Sequence, residues 1–404
     1  MPSKPDTGHP EMRRLRIQFI LALAGALSTL SMDFFAPAMP SVTRDFGTTP
    51  EAVKTLMTLF LLGYGFGPFI WGALADRIGR RKVMLLGVGG YVLAALGCLL
   101  SPTITGLFVF RVAQGFCASS TAIIARAVLR DVYGSKDATK AIAGMFLIMV
   151  WVPVLAPIAG GLLSGYFDWR ANFFVMMCGA SAIWAASFIW LRETRPEDDG
   201  ANPRGRRWTA VLSHPVFLRH TLTNMFLFGA LLFFLSNYSY ITEARFGFDS
   251  SQNGLLLTVF NATIAGGFYL VWAVAPRLGV DRSIGAGLLT ACAGWCAIFA
   301  MSVLPEPPLL LILPCVVVAS LGTGLVVSLA AGEALTPFTH AAGTASALFV
   351  LVQSMGAALL NFVAGSLFEA TLPLLASVLA LFSVGALLAS FGFRTRGSAD
   401  HAGR

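Results

Sequence analysis

Across 404 residues the chain is 56% hydrophobic and only 12% charged, with a mean hydropathy of +0.75. Soluble domains carry about 25% charged residues, so this composition excludes an ordinary soluble enzyme or binding module and points to a membrane. The net charge of +8 would suit nucleic acid, but the placement of the basic residues ties it to a membrane surface instead.

A helix needs about 20 apolar residues to cross a bilayer. Windows of that length lie at roughly 17–42, 52–75, 83–101, 103–125, 140–165, 171–191, 217–240, 253–274, 284–304, 308–331, 342–368 and 373–393. Barrel strands would alternate over about ten residues, and nothing here alternates. The sequence therefore predicts an all-α membrane protein with twelve transmembrane helices. The first window follows Arg13, Arg14 and Arg16, but it is too long for a signal-peptide core and lacks a small-x-small cleavage site, so it reads as a retained span. With the N-terminus placed inside, the outer connections hold only Arg44, Lys54, Arg170 and Arg245 of the 28 Lys and Arg residues. Arg111 alone lies within a span. That asymmetry predicts both termini on the cytoplasmic side.

Helix 1 carries STLSMDFFAPAMP, in which Asp33 is the only charge. An unpaired carboxylate in hydrocarbon costs several kcal/mol, which makes an intramembrane acid a functional-site hypothesis. Asp33 stands nine residues before Val42, about 13 Å below the end of the apolar run. Arg111 in helix 4 lies about as deep, nine residues after Pro102. The only acid and the only base in the membrane core of this half thus share a level. An arginine favours the ionised acid and desolvation the neutral one, so Asp33 is the candidate proton carrier and Arg111 its modulator. A structural ion pair or a helix-end acid is the alternative.

The connection after helix 2 reads GALADRIGRRKV, with Gly72, Asp76, Arg77, Gly79, Arg80 and Arg81. Its carboxylate can reach the partly positive end of a neighbouring helix or a nearby arginine. RAVLRDVYG in the next cytoplasmic connection offers Arg126, Arg130 and Asp131 as partners. Arg111, Gln114 and Gly115 share one face of helix 4, and Gly115 lets another backbone come close. Helix 5 contains VPVLAPIAGGLL, in which Pro153, Pro157, Gly160 and Gly161 allow bending and close packing. The charged, Pro- and Gly-containing stretch 192–214 reads as a linker between halves 1–191 and 215–404. DRIGRRK and PRLGVDR stand 200 residues apart in corresponding connections, as an internal repeat requires.

These motifs resemble the major facilitator superfamily over nearly the whole chain. MDFFAPAMP, LRDVY, APIAGG, ETRP and AGTASA are similar to its Bcr/CflA drug-efflux branch, which includes bicyclomycin and phenicol exporters. The resemblance implies two pseudo-symmetric six-helix halves in a bacterial inner membrane. It implies export of small lipophilic drugs in exchange for protons; two such halves suffice for a monomer, and neither cofactor nor metal is expected. It assigns a conformational latch to Gly72, Asp76, Arg77, Gly79, Arg80 and Arg81, with Arg130 and Asp131 opposite. It assigns an antiporter motif to Pro153, Pro157, Gly160 and Gly161; Pro153 and Ala156 stand where the fuller pattern has Gly. Transport of a native metabolite, a sugar or an amino-acid derivative, is the alternative reading.

A cavity for lipophilic substrates is largely apolar with a few polar groups. The candidates are Met32, Phe35, Gln114, Met149, Trp151, Asn237, Tyr238, Asn261, Gln353 and Asn361, with ordinary helix packing open as the alternative for each. Phe233 stands where a 200-residue shift of Asp33 lands, so the second half lacks the acid. Glu333 reads as an interfacial residue. The six cysteines all fall inside spans and read as small core hydrophobes. Walker-type phosphate loops, H-E-x-x-H and G-x-S-x-G are absent, and the five histidines do not cluster in the membrane, so neither ATP drive nor an enzyme is expected.

Overall fold

The computed structural model describes residues 10–195, 208–304, 309–367 and 371–392. Most of the expected linker (196–207), together with His9 and His401, lies outside the described residues, as does the side chain of His340. Twelve membrane-length helices are present among the described residues: α1 (Arg14–Phe46), α2 (Pro50–Ile78), α3 (Arg80–Leu100), α4 (Ile104–Gly134), α5 (Lys140–Tyr166), α6 (Arg170–Trp190), α7 (Pro215–Phe246), α8 (Ser250–Leu278), α9 (Val280–Ser302), α10 (Leu309–Phe338), α11 (Gly343–Gly365) and α12 (Leu372–Gly392).

The helix ends carry their own signals. Thr49 and Thr103 accept from the backbone N–H groups of Ala52 and Gly106, and Asp249 and Gln252 form a reciprocal capping box. Gly47 and Gly247 end α1 and α7 at φ +56° and +68°, while Gly79 and Gly279 separate α2 from α3 and α8 from α9 at φ +101° and +79°. Such backbone angles favour glycine. Both pairs stand 200 residues apart, so the internal repeat extends to backbone geometry. Packing repeats too: a Cβ on Gly63 of α2 would lie 2.1 Å from the Val112 carbonyl of α4, and one on Gly324 of α10 would lie 2.1 Å from that of Ile264 in α8.

Two boundaries differ from the sequence reading. The α4 helix runs on to Gly134, because Val128 and Leu129 continue its buried stripe beyond the apolar window. RAVLRDVYG is therefore helix rather than loop. A short helix, Trp208–Leu212, lies within the expected linker and buries Val211, with Trp208 5.1 Å from Phe69. The cysteines also divide: Cys98 is buried, but Cys178 and Cys296 are exposed on α6 and α9. An apolar bundle surface in lipid gives a small apolar side chain no reason to face inward.

The α1 span is not one helix. Regular helix ends at Asp33, a 3-10 turn covers Ala36–Ala38, and helix resumes over Met39–Phe46. Proline explains the break, since Pro37 has no N–H for the Asp33 carbonyl and Pro40 none for that of Ala36. The Asn172 amide of α6 donates to the Phe34 carbonyl at 2.9 Å, and Gly160 of α5 lies so close to Phe34 that a Cβ would sit 2.4 Å from the same oxygen. Irregular backbone at membrane depth is tolerated only where protein satisfies it.

Gly115→Val should lower the midpoint of thermal unfolding in detergent by several degrees, because its Cβ would meet the Phe60 carbonyl at 1.9 Å. Gly179→Ala, with nothing within 4 Å, should leave the midpoint unchanged.

Candidate functional site

Asp33 sits at the α1 break and is 5% exposed. Its hydrogen-bond donor is the Asn261 amide of α8, 3.3 Å from Oδ1. Among the described residues it has no ion-pair partner. The same Asn261 nitrogen donates to the Pro153 carbonyl of α5 at 2.6 Å. That carbonyl lacks its ordinary helical donor because Pro157 stands four residues on. Asn261 thus ties α1, α5 and α8 together around the acid.

Arg111 is fully buried and turns away from this tie. Its guanidinium donates to the Ser31 carbonyl at 3.2 Å, to Gln114 Oε1 at 2.9 Å and to Met57 Sδ at 3.6 Å. It also lies 4.8 Å from the ring centres of both Phe35 and Phe60, a cation–π cage. The expected acid–base pair shares a level, since Arg111 reaches the backbone two residues from Asp33, but it is not a salt bridge. Two residues along a helix are about 200° around it, so Ser31 meets α3 and α4 while Asp33 meets α8. The Ser31 and Tyr91 hydroxyls complete the α3 side at 2.5 Å.

The other pocket candidates divide. Tyr238 is buried, close enough to Asp33 to feel its charge, and its hydroxyl has no partner among the described residues. Met32 is half-buried, and Met149 packs against Gly25. Asn237 donates to the Phe233 carbonyl of its own helix, Asn361 to Gly229 and Ala357, and Gln353 to Asn224. Their amides are occupied in packing. Trp151 is 57% exposed. Phe233, at the position matching Asp33, packs edge-on against Phe382.

A second charged group stands where α2 meets α3. Asp76 and Arg80 pair at 2.7 Å, Arg80 Nε lies 3.5 Å from Asp131, and Asp131 accepts from Thr194 at 3.2 Å. Arg77 and Arg130 are exposed, Arg81 donates to the Leu191 and Phe188 carbonyls, and Arg126 reaches Ser346 of α11 at 3.1 Å. Gly72 has open space at its Cβ position. Asp76 thus reaches a nearby arginine, and a further carboxylate at the start of α3, Glu193, is one the motif reading missed. It accepts from the N–H groups of Arg80 (2.8 Å), Arg81 (3.3 Å), Thr194 and Arg195 (both 3.1 Å). A Cβ on Gly79 would lie 2.3 Å from its Oε2. Burial pushes the Glu193 carboxyl up, but these four donors outweigh it and hold it below the usual range. In the second half, Arg219 pairs with Asp281 at 2.8 Å, with Glu333 half-buried beside them.

At the opposite end of the bundle the halves are bridged. Arg44 of α1 pairs with Glu243 of α7, Thr43 and Tyr240 join their hydroxyls at 2.8 Å, and Tyr240 donates to the Met39 carbonyl at 3.3 Å. Asp45 and Arg170 pair at 2.7 Å within the first half. A cavity of about 700 Å³ opens beside Arg44 and Glu243. Beside the cavity, Gly161 of α5 meets the Ser250 carbonyl and Gly254 of α8.

The profile of the Major Facilitator Superfamily matches residues 21–361, and the chain belongs to that family. It is therefore a multi-pass transporter of the bacterial inner membrane. It is 28% identical to a chloramphenicol resistance protein of Pseudomonas aeruginosa over 83% of this chain and 81% of that one. It is 26% identical to multidrug resistance protein D of Escherichia coli K12, covering 86% and 88%, and 26% identical to a bicyclomycin resistance protein homolog of Haemophilus influenzae, covering 67% and 69%. The fold matches a crystal structure of a D-xylose–proton symporter with a TM-score of 0.77 at 13% identity, over 94% of this chain and 98% of that one.

Glu193→Ala should destabilise the protein by about 0.5–1 kcal/mol at neutral pH, as loss of an exposed helix cap does. Because the folded-state carboxyl titrates below its unfolded value, this contribution is complete above the unfolded pKa, about 4.3, and is lost as pH falls through the folded value. Thermal unfolding of the purified pair should show the gap closing only in acid.

Proposed function

We propose that this transporter exports small lipophilic compounds, phenicol- or bicyclomycin-like, in exchange for protons carried by Asp33. The observation that carries the reading is a buried carboxylate at the junction of the two halves with no counter-charge partner among the described residues. Neutralisation by a proton is the inexpensive way for such a group to persist away from water. Names of relatives, for resistance to chloramphenicol and to bicyclomycin, support the substrate class.

Drug entering from the cytoplasmic side settles against Met32, Phe35 and Tyr238, whose hydroxyl, without a partner among the described residues, offers a bond to a polar substituent. Its arrival favours loss of the proton from Asp33. The caged Arg111 supplies a fixed positive charge that steadies the ionised acid without closing a salt bridge on it. The halves 1–191 and 215–404, joined by 192–214, then rock to open the outer side, and a proton from there restores neutral Asp33. Parting the outer ends requires breaking Arg44–Glu243 and Thr43–Tyr240, while Asp76, Arg80 and Asp131 latch the cytoplasmic end. Per 100 mV, one inward proton supplies about 2.3 kcal/mol, enough for a gradient of roughly forty-fold of a neutral drug.

In acid-loaded inverted membrane vesicles followed by a pH-sensitive dye, phenicols or bicyclomycin should release protons through the wild type and not through Asp33→Asn. A response to sugars or amino-acid derivatives alone would overturn the substrate class. A mutant that responds like the wild type would overturn the role of Asp33.

A further inference from the structure

We propose that Asn261 converts the charge of Asp33 into a bond between the two halves, acting as a positioning residue rather than a drug ligand; this rests on the proton-exchange reading above. The amide nitrogen has two N–H groups and two acceptors at hand. One is a titrating carboxylate of the first half, Asp33 of α1 at 3.3 Å, and the other a fixed carbonyl of the same half, Pro153 of α5 at 2.6 Å. Asn261 itself belongs to α8 of the second half and is 6% exposed.

The two bonds respond differently to a proton. A bond to an ionised carboxylate is roughly twice as strong as one between neutral groups. Neutralising Asp33 therefore weakens the α1–α8 tie. The Pro153 tie does not titrate, and no N–H of α5 competes for that carbonyl, because the residue that would supply one is Pro157. Along α8, Gly254 lies seven residues before Asn261 and hence on the same face. It meets α5 at the Pro157 carbonyl, where a Cβ would come within 2.4 Å. The α5–α8 seam is thus closed in both charge states, while the α1–α8 contact is tight only when Asp33 is charged. Protonation frees α1 from the second half and leaves the seam as the axis of movement.

Among the charged and titratable groups of neighbouring helices, Tyr238 of α7 lies on the Asp33 side, while Arg111 of α4 groups with Tyr91 and Cys98 of α3 on the far side of α1. None of them donates to Asp33 among the described residues, so Asn261 is the contact through which α8 registers its charge.

The test uses the full-length protein in inverted membrane vesicles and reads the pH profile of chloramphenicol-driven proton release. Asn261→Leu removes both donors at similar size and should raise the midpoint of the profile by about one pH unit, since the ionised form loses its donor. Pro157→Ala returns a helical N–H to the Pro153 carbonyl, releases Asn261 toward Asp33, and should lower the midpoint. Asn261→Gln, which retains the amide, should recover part of the wild-type profile. Should Asn261→Leu fail to accumulate, the downward shift in Pro157→Ala carries the test alone. A wild-type midpoint in the variants overturns the proposal and leaves proton exchange standing. So does a raised KM with an unmoved midpoint, which would make Asn261 a drug contact. A wild type that releases no protons with any drug overturns the exchange reading and this proposal with it.

Discussion

Much of this bundle is arranged around the cost of keeping one carboxylate out of water. Asp33 lies in the membrane interior with no counter-charge partner among the described residues, in a chain that is otherwise largely apolar at that depth. Its surroundings are built from groups that do not neutralise it: an amide on one side and, beyond the helix, an arginine already committed to a carbonyl, an amide oxygen and two aromatic rings. A closed salt bridge would have held the acid permanently ionised. Leaving the pair open keeps both charge states within reach.

The break in α1 and the glycines of α5 belong to the same solution. Pro37 and Pro40 open the helix directly after the acid, and the freed carbonyls need donors and close neighbours. Asn172 donates to the Phe34 carbonyl within the break, and Gly160 admits the irregular turn. The adjacent Gly161, about 100° further round the helix, admits α8. One pair of glycines thus presses α5 against both halves, and Pro157 in the same motif leaves the Pro153 carbonyl for Asn261. The motif is a three-way joint in which each small residue or proline has a partner.

The architecture was legible because its signals are local. Twelve apolar windows, the glycines repeated at an offset of 200, and the acid and base at equal depth can all be read along the chain. Other features depended on which way a side chain points. The depth match brought Asp33 and Arg111 to one level but not into contact, because Ser31 and Asp33 face opposite sides of α1. Asn261 stood among several buried amides, and only the fold separates it from Asn237 and Asn361, whose donors are spent on helical carbonyls. Glu193 gave no periodic signal. It is an exposed acid in a connection, and its role comes from the distant Gly79 turn whose N–H groups it meets.

The central claim is that a single carboxylate exchanges its proton for drug. Chloramphenicol added to the purified protein in a weakly buffered detergent solution tests this with no membrane potential and no second transporter present. The account predicts that the wild type releases protons on binding, while Asp33→Asn binds the drug and releases none. Equal proton release from both proteins would contradict it and place the exchangeable proton on another residue.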